Sequence, residues 1–441
     1  MNWRAVARAG SRKRPTSAGE PGAFAALSIP LFRAMWLAEF AGDVGNWMHT
    51  VGAQWVIIGH PDAVLFAALL VGAARMPSLA LAVPLGAIAD LFDRRRLLLW
   101  SQAFQVVVGA ALAVASLLGR LTPVALLAFT LLLGLGSALS MVAFQALVPQ
   151  LVPPSRLHSA AALTQVNLNI ARVVGPMLGG LLVAVIGPTS VFALDALSYL
   201  VFVVVLCFCT VPGRPPGPRP QFRHALVEGV GYVRRSVLMR RILVHSFLTG
   251  IPCAAVWALL PSVSTLRLGA GAPGYGLLLA AAGVGSICGA ALLPLVRRWA
   301  SDNASLILGS VVTAAALAVL GAVDSLAGAA LALFAFGTAW MVMQTPLAAT
   351  MQLIAPDWVR GRAMALFQTV RTGSQSLGAV GWGLLATNLG LLAAVEVSAA
   401  AMALAALLAV CWPVGPGRRA AGQPDEEHVQ RAATVIPRLP G

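Results

Sequence analysis

Asp90 and the run Asp93-Arg94-Arg95-Arg96 stand between two long stretches that carry almost no charge, and this alternation of apolar run and charged break repeats along the chain. Such a pattern rules out a soluble globule, whose surface needs far more polar side chains. Of the 441 residues 59% are hydrophobic and 10% charged, and the mean hydropathy is +0.84. The hydrocarbon core of a bilayer is about 30 Å thick and a helix rises about 1.5 Å per residue, so one crossing takes roughly 20 apolar residues. The runs predict an all-α membrane protein with twelve transmembrane helices, near 31–58, 63–89, 97–118, 123–147, 161–186, 189–211, 241–266, 274–296, 303–322, 326–348, 363–387 and 390–413.

The connections between these runs alternate in charge. One set holds the leader with Arg4, Arg8, Arg12, Lys13 and Arg14, then Arg94-Arg95-Arg96, Arg156, the segment 214–241, Arg297-Arg298, Arg360 with Arg362, and Arg418-Arg419. The other set offers His60-Pro61-Asp62, Arg120, Gly187-Pro188, Arg267, Asp324 and Asn388. Arginine holds loops in the cytoplasm, so both termini are expected there. The formal charge of +15 then reflects topology, and no nucleic-acid partner is expected. The first apolar span is long, contains acids and lacks a small-residue cleavage site, so it reads as a retained helix and not a signal peptide.

Enzyme and cofactor chemistry find no support in the sequence. Cys207, Cys209, Cys253, Cys288 and Cys411 fall in apolar segments without metal-ligand spacing and read as buried thiols, with no metal expected. No Walker-type phosphate loop occurs, and His158-Ser159 and His245-Ser246 lack a third partner. The expectation is a non-enzymatic protein without a cofactor.

The Pro-, Gly- and Arg-rich connection after Val211 divides the chain in two. The expected layout is a basic leader (1–30), a six-helix bundle (31–211), a linker (212–240), a second six-helix bundle (241–413) and a tail (414–441). The halves resemble each other. At a constant offset of 203 residues Leu163 matches Leu366, Gln165 matches Gln368, Gly175 matches Gly378 and Pro153 matches Pro356. Parallel repeats of this kind mark two-bundle transporters with a site between the repeats, expected at the midplane.

Two motifs carry a resemblance. The segment GAIADLFDRRR (86–96) is similar to the signature loop between the second and third helices of the major facilitator superfamily, with Gly86, Asp90, Arg94 and Arg95 matching and Leu91 and Asp93 departing. The resemblance implies a cytoplasmic gate that latches the two halves. Gly175-Pro176-Met177-Leu178-Gly179-Gly180 resembles the antiporter motif of drug-exporting members. Most of the chain from Phe32 to Leu206 looks like the enterobactin-exporter-like branch, the transmembrane secretion effectors. That likeness implies two pseudo-symmetric six-helix bundles and proton-driven export of a small amphipathic molecule such as a drug, macrolide or siderophore. Glu39, Asp43, Asp195 and Arg75 depart from the branch's usual residues.

An ionised side chain inside a membrane helix costs about 2.5–3.5 kcal/mol on insertion scales, so it faces a partner or a wet cavity. Glu39 and Asp43 are one helical turn apart on a shared face of the first span. Asp43 and Arg75 are expected at similar depth as an ion pair, leaving Glu39 as the proton carrier. A static network joining the first two spans is the competing structural reading. Arg172 and Arg371 occupy nearly corresponding places in the two halves and are expected to face the cavity, where a guanidinium suits an anionic group. Asn167, Asn169, Gln165, Gln368 and Gln375 add polar lining, and Asp195 and Glu396 read as solvated or locally paired. Trp36, Trp47, Trp55 and Trp340 are candidates for stacking on a planar substrate, with interfacial anchoring an equal reading for Trp36 and Trp55.

The reading that joins these expectations is a monomeric secondary transporter that exports a small amphipathic molecule by proton antiport through alternating access. Its alternatives are a proton-coupled organic-solute importer and a non-transporting membrane sensor or scaffold.

Overall fold

The computed structural model describes residues 24–80, 93–208 and 231–414, and all regular structure among them is helical. Most of the leader, residues 209–230 of the linker and the tail from 415 lie outside the described residues. Twelve long helices follow in order: α1 Pro30–Ile57, α2 Ala63–Ala80, α3 Arg94–Leu117, α4 Pro123–Leu151, α5 Leu157–Val185, α6 Pro188–Phe208, α7 Val237–Ser262, α8 Gly271–Trp299, α9 Asp302–Ala322, α10 Leu326–Ile354, α11 Asp357–Leu389 and α12 Leu391–Cys411. Ten are long and apolar enough to cross a membrane by composition alone. The two that fall short, α1 and α11, carry Glu39, Asp43 and Arg371, and both are wrapped by other helices. A helix shielded by neighbours tolerates polar residues that lipid would reject.

Several helices outrun their apolar segments on the arginine-rich face. At 29 residues α4, α5, α8 and α10 are each about 43 Å long, beyond the roughly 30 Å hydrocarbon thickness. The apolar count therefore predicted spans shorter than the helices. Arg94 and Arg95, expected in a loop, lie in the first turn of α3, where the Asp93 carboxylate caps the helix by accepting from the Arg96 N–H at 2.9 Å. The cysteines also differ from expectation: Cys253 is buried and Cys288 half-buried, but Cys207 and Cys411 are exposed near helix ends, and Cys209 lies outside the described residues.

Helix pairing obeys one rule, that each contact in the first half recurs six helices later. In the first half α1 packs on α5 and α6, α3 on α4 and α6, and α2 on α4; in the second, α7 packs on α11 and α12, α9 on α10 and α12, and α8 on α10. The sequence offset of 203 reappears in local chemistry. Thr122 caps α4 and Ser325 caps α10, each accepting from the N–H three residues on. The turns α5/α6 and α11/α12 pivot on Gly187 (φ 105°) and Gly390 (φ 93°), a backbone region open to glycine and costly to other residues. Gly175 admits Val44 and Trp47 of α1, and its counterpart Gly378 admits Ile251 and Ala254 of α7. Small residues let helices approach where no hydrophobic effect drives them together.

The halves meet along two seams, α5 against α8 and α11 against α2. Gly180 abuts the Ala272 carbonyl and Gly383 abuts Ala68, again at the same offset, while Gly276 seats the Pro176 carbonyl and Gly72 faces Val380 and Ser376. These contacts run from mid-depth to the arginine-poor face, so the halves are closed together at that end.

Candidate functional site

A cavity of about 210 Å³ lies between the halves. Asn46, Trp47, His49, Thr50 and Gln54 of α1, Arg75 of α2, Thr130 and Ser137 of α4, Trp257 of α7 and Tyr275 of α8 are its polar and aromatic lining. Arg75 and Ser137 stand near the middle of the membrane-crossing length and most of the others lie in the arginine-poor portions of their helices, so the cavity runs from the expected midplane toward the closed end. It extends that way because the two seams pack the halves there and leave a pocket just beneath the contact.

Glu39 and Asp43 belong to the same stripe of α1 as the cavity residues. The series Glu39, Asp43, Asn46, Thr50, Gln54 steps by three or four residues, which keeps all five on one side of a helix. The two carboxyl groups are near enough to feel each other's charge, and they sit on the arginine-rich side of the cavity. Both are half-buried, and Asp43 Oδ2 is buried with no hydrogen-bond partner among the described residues.

Arg75 does not pair with Asp43. Among the described residues the ion pairs are His49–Asp195, His60–Asp62 and Arg267–Asp324. The Arg75 guanidinium instead donates to Gln375 Oε1 of α11 at 2.7 Å and rests 5.9 Å from the centre of the Trp257 ring. Matching depth was a sound expectation, but α2 packs on α4, α11 and α7 far more than on α1, and that packing aims the side chain across the seam.

Arg172 and Arg371 come to the same interface from opposite halves, close enough to Arg75 for mutual repulsion. Arg172 lies 5.9 Å over the Trp47 ring with its Nε buried and unbonded, and Arg371 donates through Nε to Gln368 Oε1 at 2.8 Å. Gln165 and Asn169 lie on the Arg172 side of α5, as helical spacing requires, with Gln165 exposed and Asn169 half-buried. Asn167 departs from expectation: it is 1% exposed and its Nδ2 reaches the Trp36 carbonyl at 3.5 Å, so it packs α5 on α1 and stands apart from the cavity lining. Trp36 donates to the Leu163 carbonyl at 2.9 Å, a joint between α1 and α5.

The sequence reading missed His49. Its Nδ1 stands 3.2 Å from Asp195 Oδ2, close enough for an ion pair yet off the line of a hydrogen bond, and the two residues are 6% and 1% exposed. Tyr199 donates to the same carboxylate oxygen at 3.4 Å. Asp195 is therefore buried and held inside the bundle, while Glu396 is exposed. A signal was present: His49 is eight residues from the arginine-poor end of α1 and Asp195 seven from that end of α6 (57 − 49 and 195 − 188), so the two share a depth.

The profile of the family described as transmembrane secretion effectors matches residues 21–435, nearly the whole chain. The chain belongs to this family, within the major facilitator superfamily. Among characterised relatives, the multidrug efflux pump Tap of Mycolicibacterium fortuitum is 24% identical over 394 residues, covering 87% of this chain and 96% of Tap. The enterobactin exporter EntS of Citrobacter koseri is 25% identical over 385 residues, covering 86% of this chain and 91% of EntS. A crystal structure of a variant of the nucleoside transporter NupG superposes with a TM-score of 0.71 at 12% identity, over 87% of this chain and 100% of that one, a likeness of fold.

In this transmembrane secretion effector the two motifs act locally. Gly86 and Asp90 of the gate motif lie outside the described residues. Among the described residues Arg94 donates to the Ala146 carbonyl of α4 at 2.9 Å and Arg95 to the Leu206 carbonyl of α6 at 2.6 Å, so both tie down helix ends of their own half. The antiporter motif is split between two neighbours: Gly175 and Gly179 face α1, while Pro176 and Gly180 face α8 across the seam.

Proposed function

We propose that this membrane transporter exports a small amphipathic molecule in exchange for protons, with Glu39 and Asp43 carrying the proton. The observation that supports it is the α1 stripe, in which a buried carboxylate oxygen of Asp43 without a partner stands one turn from Trp47 at the cavity wall. An ion at that depth costs about 2.5–3.5 kcal/mol, a cost that a bound proton removes. Protonation of the pair and occupation of the cavity then favour opposite-facing states, which is the requirement of exchange. The relatives named as an efflux pump and a siderophore exporter support the outward direction over uptake.

On this reading the arginine-rich face is cytoplasmic, both termini lie there, and the seam closed at the arginine-poor end makes the present state inward-facing. The protein works as a monomer in a bacterial inner membrane, without a cofactor. Reconstitution into vesicles loaded with a pH dye tests the coupling. Glu39→Gln and Asp43→Asn are each expected to cut substrate-dependent proton flux at least about tenfold, the scale of a transferred-proton step, with the purified protein still monodisperse. Unchanged flux and pH dependence in both variants overturns the assignment.

A further inference from the structure

Arg75, Arg172 and Arg371 converge where the halves meet, and none forms an ion pair among the described residues. Arg75 is the one that lines the cavity. The helices around it supply no counter-charge: α2, α4 and α7 contain no acidic residue, and the only acid of α11 is Asp357, its first residue. Of the nearby acids, Asp195 is engaged by His49, and Glu39 and Asp43 sit toward the arginine-rich side.

A guanidinium has five N–H donors. Arg75 spends one of them, on Gln375, within the described residues. Neutral Gln375 does not offset the charge.

The aromatic side chains complete the arrangement. Arg172, Trp47, Trp257 and Arg75 form a row, with each guanidinium 5.9 Å from the ring it covers and the two ring centres 5.9 Å apart. Both indoles line the cavity. The remaining lining combines hydroxyl and amide groups and His49 with an apolar wall of Ala53, Leu70, Val71, Ala74 and Leu133, and it holds no carboxylate. Drug-sized sites measure about 300–1,000 Å³, so a cavity of about 210 Å³ accepts one ring system of a substrate and its attached group.

We infer that the transported molecule is an aromatic anion: the cavity takes a ring bearing a carboxylate or comparable acidic group, with the ring against Trp47 and Trp257 and the acid on Arg75, in the field of Arg172 and Arg371. This rests on the transport reading and assigns Arg75 to the substrate. A cationic amphiphile meets three uncompensated positive charges here and is disfavoured.

Binding of three probes of one shape to the purified full-length protein in detergent tests the inference without any flux. They are 1-naphthoate, neutral 1-naphthamide and cationic 1-naphthylmethylammonium, measured by calorimetry. Naphthoate is expected to bind at least about tenfold more tightly than the amide, with the cation weakest. Arg75→Gln is expected to erase the difference and Arg75→Lys to retain part of it, because lysine keeps the charge but loses the planar fork. Arg172→Gln and Arg371→Gln are expected to narrow it by a few fold.

Elution profile and melting temperature show that each variant is folded. Equal binding of all three probes, preference for the cation, absence of binding up to about 10 mM, or an undiminished preference in folded Arg75→Gln overturns the inference. Anion selectivity with no proton-coupled flux sinks the antiport reading alone; coupled flux of substrates without anion selectivity sinks this one alone.

Discussion

The carboxylate of Asp195 and the imidazole of His49 are shut away from solvent 3.2 Å apart, so removing one strands the other. Breaking a buried pair typically costs about 3–5 kcal/mol, whereas replacing both members with apolar residues is often neutral. The low end is expected here, because the unfolded chain in detergent also finds polar partners. Asp195→Leu should lower the melting temperature markedly and His49→Leu/Asp195→Leu should recover most of the loss; a double variant no better than the single one contradicts the pairing. At this scale the sequence showed which acids and arginines were costly, since charges in apolar runs are plain to see, but it passed over His49. It did not show their partners. Arg75 was matched to Asp43 by depth alone, and rotation about the helix axis, which depth ignores, sends it to Gln375.

Among helices, α5 separates two roles by face. Gly179 lies 2.9 Å, measured to an added methyl carbon, from Met48 Cα of α1, and Gly180 lies 2.6 Å from the Ala272 carbonyl of α8. Backbone on the far side of each contact leaves little room to yield. Gly179→Val should push α1 and α5 apart within one half and destabilise the fold by about 1–3 kcal/mol, as overpacking does. Gly180→Val should wedge the halves apart at the arginine-poor end, leaving melting little changed while slowing transport. Melting curves and vesicle flux on the pair distinguish these outcomes, and equal loss of stability in both refutes the division. Helix order and the antiporter motif were visible in the sequence; which glycine meets which neighbour depends on where the interhelical contacts fall.

For the whole molecule, the proposals about substrate and proton combine into an electrical prediction. A proton moving in while a monoanion moves out carries two positive charges inward. At roughly 2.3 kcal/mol per charge per 100 mV, the driving force is about 4.6 kcal/mol for each 100 mV. Flux of an aromatic monoanion in vesicles should therefore rise steeply with a potassium-valinomycin potential, negative on the arginine-rich side, and a neutral analogue should respond half as strongly. Flux indifferent to potential contradicts the combined scheme.

The sequence by itself determined the all-helical membrane class, the order of helices and the internal repeat, because hydropathy, loop charge and an offset of 203 residues are properties of the chain read in one dimension. It also marked Glu39, Asp43 and Arg371 as charges inside membrane helices that need a partner or a wet cavity. Only the tertiary structure decided that the cavity runs from the midplane toward the arginine-poor face, that His49 holds Asp195, and that three arginines converge without a counter-ion among the described residues. Those facts depend on how each helix is rotated and which faces the seams bring together, and two rotations of a helix can bury much the same apolar area while presenting different side chains to the space between the halves.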